Sequence, residues 1–201
     1  MTRKQRLKSI QTYGYVKKVS IITYYGKEAK ISLEEEWLMF KFFVVHNPCG
    51  DNMTWKSISF KDYGWPDKID KPNGLRSKLD EVLSISSNQF VFTEKDDLKE
   101  KFAATNLTDG FPEDIITERA VIGDTPGDNK HLKLFRHIRN CFCHGKYVVV
   151  KNALGHEMII MQDNYNKNVT ARIVIRKTTL MEWIRIIDKN KMITQNSIEN
   201  H

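Results

Sequence analysis

The 201-residue sequence predicts a mainly α-helical fold with a small C-terminal antiparallel β-sheet and a final helix. Three observations lead there. Apolar residues recur at helical spacing in several separate stretches between residues 32 and 145. After Gly145 the pattern changes to short runs rich in Val and Ile, two of them joined by a turn-like segment. A last stripe, Leu180, Trp183, Ile184 and Ile187, then returns to helical spacing.

Taken in order, Val19 to Tyr25 reads as a short strand inside a basic, aromatic N-terminal segment, 1–31. Ser32 and Glu35 form a capping-box pattern that opens the first helix. Leu33, Trp37, Phe40 and Val44 repeat along it, with Leu38, Phe42 and Val45 beside them, so it is expected to be strongly buried and to end near Asn47-Pro48. Residues 48–72 are loop-like. Asn73 caps a second helix with Leu75, Leu79, Val82 and Leu83 on its apolar face. Thr93 and Asp96 are candidate caps for a third, carrying Leu98 and Phe102. Pro112 suits the first turn of a fourth, running to about Val121, and Gly123 to Gly127 breaks it.

Asp128 caps the fifth helix, 128–145, whose stripe is Leu132, Phe135, Ile138 and Phe142, with Leu134 and Cys141 on its flank. Gly145 is placed to close it in a left-handed conformation. Tyr147 to Lys151, Glu157 to Met161 and Thr170 to Ile175 follow as strands, with a hairpin turn over Asn152 to His156. The tail from Met192 is polar and expected to fray. The organisation is one domain, 1–201: the basic N-terminal segment, a helical part 32–145, a β-rich appendage with its helix over 146–190, and the tail 191–201.

The charge pattern is uneven. From Asp128 onward there are 13 lysines and arginines against 6 acidic residues; residues 1–30 hold 8 against 1, and residues 31–127 hold 11 against 18. Both ends are basic and the middle is acidic. A nucleic acid is the natural anionic partner of such basic stretches, because neutralised phosphates release counterions. Charge spread over solvated faces for solubility produces the same numbers. No run approaches the length of a membrane span and the N-terminus lacks the apolar stretch of a signal peptide. Three cysteines, an odd number, argue against a disulfide framework and suit a reducing cytoplasm.

The chemistry-bearing segment is Arg139-Asn140-Cys141-Phe142-Cys143-His144, followed by Gly145. Asn140 and His144 are one helical turn apart. RNA can be cut by its own 2′-hydroxyl attacking the adjacent phosphate, a step that needs a proton acceptor, a proton donor and stabilisation of a crowded anionic centre. Histidine titrates near working pH and fills either proton role. Arginine is always charged and grips two phosphate oxygens at once. Asn140 is placed to orient the imidazole or the scissile group, and Lys146 and Arg136 to hold phosphate. The bland alternatives are a helix-capping role for His144 and a surface ion pair for Arg139. A helix C-terminus repels phosphate, and one chain offers one such Arg and one such His. A symmetric homodimer with two motif helices facing each other answers both objections.

Arg139-Asn140, three intervening residues and His144-Gly145 resemble the motif of the HEPN family of helical-bundle domains. The resemblance implies a helical bundle and a metal-independent endoribonuclease that works as a homodimer with a composite site, Arg139 and His144 carrying the reaction with Asn140 assisting. A strand-rich stretch after His-Gly is also similar to prokaryotic HEPN nucleases of toxin–antitoxin and phage-defence systems, which implies an antitoxin or defence-system partner protein. Some family members bind RNA without cleaving it, and the competing function is a non-catalytic RNA-binding or protein-interaction module. Tyr147 stands three residues after His144; the family's modified tyrosine stands two after, so that regulation is not carried over.

No cofactor is expected. Cys141, Cys143 and His144 look like metal ligands at first sight, but Cys49 is distant and a closed zinc site needs four. Cys143 is a weak candidate for a nucleophile. His131, in the first turn of the motif helix, is expected at the surface, and His137, beside Arg136, on a solvated face, with lining of the cleft as its alternative. Arg3, Lys4, Arg6, Lys8, Tyr13, Tyr15, Lys17 and Lys18 can track an RNA backbone or simply form a solvated tail. Glu34-Glu35-Glu36 complement the dipole of the first helix.

Overall fold

The computed structural model describes residues 27–49, 58–66, 74–83, 89–108, 111, 117–123, 130–166 and 168–193. The strand expected at 19–25, the caps at Asn73 and Asp128, the basic residues 1–26 and the tail beyond 193 lie outside them. Their centre is a mixed sheet in the order β1-β4-β5-β6-β3-β2. Its strands are β1 (Lys27–Glu28), β2 (Phe90–Thr93), β3 (Arg119–Gly123), β4 (Tyr147–Lys151), β5 (Glu157–Tyr165) and β6 (Asn168–Arg176). The helices are α1 (Leu33–Phe40), continued by a π-helical turn over Lys41–Val45, then α2 (Leu75–Val82), α3 (Leu98–Ala104), α4 (Lys130–Cys143) and α5 (Lys177–Ile187).

β4, β5 and β6 form an antiparallel meander, with Tyr147 opposite Met161 and Met158 opposite Arg176. The β4–β5 turn falls where expected. Asn152 Oδ1 accepts from the backbone N–H groups of Leu154 and His156 at 3.0 and 2.9 Å, and Gly155 takes φ of +79°. β3 pairs antiparallel with β6 and parallel with β2. A register shift interrupts the β5–β6 ladder between Asp163 and Asn164.

Successive side chains alternate between two cores. Ala120, Ile122, Val149, Ile159, Met161, Ala171, Ile173 and Ile175 pack with residues of the π-turn, α2, α4 and α5. Val121, Val150, Met158, Ile160 and Val174 face the opposite way, against Leu98 and Phe102 of α3 and against Leu107 and Phe111. The sheet is therefore buried on both sides.

This corrects the expected fold class. The sheet is not a small C-terminal addition to a helical bundle: it is the central layer, and β2 and β3 come from within 32–145. The fourth helix expected over 112–121 is not formed at its C-terminal end, where Arg119–Gly123 is β3. The reason is burial on both faces. A strand whose two sides enter two cores reads Ala-Val-Ile without alternation, like a piece of buried helix. Thr93 likewise ends β2 rather than capping a helix; α3 follows a 3₁₀ turn and has Asp97 at its N-cap position.

The capping box of α1 is formed: Ser32 Oγ accepts from the Glu35 N–H at 3.2 Å, and Glu35 Oε2 accepts from the Ser32 N–H at 3.3 Å. Its expected burial is corrected at the N-terminal end, where Leu33 is 76% and Trp37 55% exposed. Burial belongs to Met39 and, in the π-turn, Phe42, Phe43 and Val44. The wider turn leaves backbone carbonyls short of partners, and buried Asn47 meets one: its Nδ2 donates to Phe43 O at 2.7 Å and to Phe135 O of α4 at 3.2 Å. At the other end of the chain, Ile193 is buried, its N–H donating to Asp188 Oδ2 at 2.9 Å, so the chain is still packed one residue past Met192. Among the described residues no helix is long and apolar enough to cross a membrane.

Candidate functional site

α4 lies against the sheet on its Leu134, Phe135, Ile138, Cys141 and Phe142 side. Its end is built by Gly145, as the sequence predicts. Gly145 takes φ of +60°, its N–H donates to Phe142 O at 3.3 Å, and the Lys146 N–H donates to Cys141 O at 2.8 Å. These two bonds form a Schellman closure. The His144 N–H donates to Asn140 O at 3.0 Å, leaving its side chain exposed at the cap.

The residues before it are joined by a network that ends on Asp163 of β5. Arg139 is half-buried, and its Nη1 donates to Asn140 Oδ1 at 3.2 Å. Asn140 Nδ2 donates to Asp163 Oδ2 at 3.0 Å. His137 Nδ1 lies 2.8 Å from the same oxygen; an ionised carboxylate only accepts, so the proton is on Nδ1. Asp163 Oδ1 accepts from the Asn164 N–H at 2.9 Å. Burial pushes the Asp163 carboxyl up, but the hydrogen bonds from His137 and Asn140, with the charges of His137 and Lys146, hold it below the ordinary carboxylate value. Arg139 keeps its Nε buried with no hydrogen-bond partner among the described residues.

Asn140 therefore turns its amide to Arg139 and Asp163 rather than to the His144 imidazole. It positions the guanidinium. Arg136 is exposed one turn before Arg139 and Asn140, and half-buried Lys146 directs its charge partly at Asp163.

Two expectations about α4 are corrected. His137 is buried, 8% exposed, and so is His131, at 6%. The reason in each case is a carboxylate from another element. Asp163 meets His137, and Asp80 of α2 meets His131 at 3.2 Å, where the histidine's hydrogen bond holds the Asp80 carboxyl below its usual value. His131 also packs edge-on against the Trp183 ring. Asp163 itself was missed. Its signal was present in the period of two that places Ile159, Met161 and Asp163 on one face of β5, which predicts a carboxylate aimed into the helical layer.

The cysteines contribute little chemistry here. Cys141 is fully buried and burial pushes its thiol far up; Cys143 is also raised by burial, against the pull of Arg139. Among the described residues no three His, Cys, Asp or Glu side chains gather to hold a metal ion. Tyr147 begins β4, packs its ring on Phe142 at 4.8 Å and donates its hydroxyl to Glu36 Oε1 at 2.7 Å.

No family model, curated protein or solved structure matches the chain. The likeness to HEPN domains thus rests on Arg139, Asn140, His144 and Gly145, without the helical bundle that the likeness implied. The site has an anchored guanidinium, an exposed imidazole and flanking cations at one helix end. Such a set can bind a phosphodiester and move a proton.

Proposed function

We propose that this protein is a metal-independent endoribonuclease, with Arg139 and His144 as its working groups. One observation carries the reading: Arg139 is tied through Asn140 to a buried carboxylate, while His144, on the closing turn of the same helix, stays exposed. An arginine held this way loses little side-chain freedom on binding phosphate. His144 removes the 2′-hydroxyl proton; the oxygen attacks the adjacent phosphorus and the 5′-oxygen leaves, giving a 2′,3′-cyclic phosphate and a free 5′-hydroxyl once that oxygen is protonated. Arg139 offsets the charge that grows on the phosphoryl oxygens, with Arg136 and Lys146 adding positive field.

His137, locked on Asp163, is turned away from this task, so each chain supplies one free imidazole from α4. A second copy, related by a two-fold axis, would bring the acid that protonates the leaving oxygen and offset the negative end of α4. A homodimer acting in the cytoplasm, in a toxin–antitoxin or phage-defence setting, completes the reading; that setting rests on the motif likeness. The deciding experiment incubates purified protein with total RNA in excess EDTA. Cleavage into cyclic-phosphate ends that is lost in a folded His144→Ala variant supports it. Intact RNA of every class would instead favour a non-catalytic RNA-binding or protein-interaction module.

A further inference from the structure

A cleft of about 580 Å³ opens beside the closing turn of α4, between the chain leaving β1, the start of α1 and the start of β4. Its size is that of an ordinary small-ligand site. Gly145, the residue after His144, forms part of its wall, together with Lys30, Ile31, Glu36, Tyr147 and Val149. The motif chemistry described above does not use it.

The cleft exists because β1 stops short. The Ala29 N–H still donates to Val149 O at 2.9 Å, and then the chain peels away toward α1. In an antiparallel ladder, residues two apart direct their peptide groups to the same side. Val149 faces β1, so Tyr147 turns its N–H and C=O the same way, into the gap. Glu36 stands across it, one carboxylate oxygen fixed by the Tyr147 hydroxyl. A carboxylate with a free oxygen, a peptide donor, a peptide acceptor and apolar walls of Ile31 and Val149 together face one small volume.

We infer that this cleft is a nucleobase subsite selective for guanine. The inference rests on the ribonuclease reading for its choice of ligand class. A phosphate is disfavoured beside Glu36, whereas a base edge is not. Guanine alone among the four bases presents two adjacent N–H donors, N1–H and the 2-amino group, which a carboxylate accepts side by side. Its O6 can take the peptide N–H. Adenine and cytosine set a ring acceptor against the carboxylate, and uracil flanks its one N–H with two carbonyls. The Watson–Crick edge is free only in single-stranded RNA, so the subsite selects unpaired guanosine next to the scissile phosphate. Lys30, exposed at the rim, meets the sugar–phosphate backbone.

The test is isothermal titration of the full chain with 5′-GMP and 5′-AMP, alongside cleavage of single-stranded oligoribonucleotides that differ only in one G or A. GMP should bind about tenfold or more tightly than AMP. Glu36→Gln should bring the two together, with unchanged secondary structure by circular dichroism. Lys30→Trp, which places an indole at the rim and leaves Glu36 in place, should weaken GMP binding as well. Equal affinities for both nucleotides, or a preference for GMP that survives Glu36→Gln, overturns the subsite. So does capture of an extended peptide on the β4 edge without nucleotide binding. GMP selectivity in a protein that cuts no RNA supports the subsite and sinks the ribonuclease. His144-dependent cleavage blind to base identity does the reverse.

Discussion

Gln162 and Asp163 are neighbours on β5, and each anchors a buried polar network on a different face of the sheet. Gln162 Oε1 accepts from Arg172 Nε at 3.1 Å; Arg172 then donates through Nη1 to the carbonyl of Leu107 and lies 5.0 Å over the Phe102 ring. From Arg172 the network reaches the backbone carbonyls of Leu107 and Thr108 and fastens the segment after α3 to the sheet. Asp163 gathers His137 and Asn140, and through Asn140 it reaches Arg139. That one ends on half-buried Arg139, five residues before exposed His144 on the same helix end. Both follow the rule that buried polar groups find partners, with Arg139 Nε an exception among the described residues. The difference lies in what each network holds: backbone carbonyls, which fixes structure, or a charged side chain near solvent, which aims that charge.

The hardest blow to this contrast is Asp163→Ala. It leaves buried His137 and half-buried Asn140 without their acceptor, and should cost about 3–5 kcal/mol in urea denaturation as well as abolishing RNA cleavage. A loss under about 1 kcal/mol would mean that the network contributes no more than one ordinary hydrogen bond. His144→Ala separates function from structure: cleavage should fall on the order of 10²- to 10⁴-fold, while stability stays within about 0.5 kcal/mol. Arg172→Met tests the other network and should show the mirror image. About 2–3 kcal/mol of stability is lost, and the folded fraction should cut RNA at the native rate.

The smallest effect is in pH. The folded-state pKa of Asp163 is depressed, so its contribution is complete above the unfolded-state value, ordinarily 3.8, and is lost as pH falls through the lower folded value. The acid limb of the stability curve should therefore be shallower in Asp163→Asn than in the native protein, at pH below about 4, measured by urea midpoints across that range.

Much of the local structure was legible. Gly145 after a long amphipathic stripe placed the end of α4, and Asn152 to His156 between two β-branched runs placed the hairpin. What escaped was whatever depended on partners distant in sequence. β3 hid because both its faces are buried, which erases alternation. Leu33 and Trp37 follow a helical stripe that the fold leaves in solvent. His131 and His137 looked like surface residues because Asp80 and Asp163, their reasons for being inside, lie 51 and 26 positions away. Of the candidate site, Arg139, Asn140 and His144 could be read from spacing. The carboxylate that organises two other residues of that helix had only the period-of-two pattern of its strand to mark it, since a single Asp carries no motif.

The alternation of Gln162 and Asp163 also has a consequence for how the chain reaches its fold. A one-residue slip of β5 would swap the two side chains between layers. The carboxylate would be thrust toward Leu107 and the amide toward His137, and both networks would be lost together. The β5–β6 ladder carries its register shift directly after these two residues. Two adjacent polar residues with incompatible partners thus act as a proofreading mark during sheet assembly, allowing only one alignment of the hairpin to be sealed into the core.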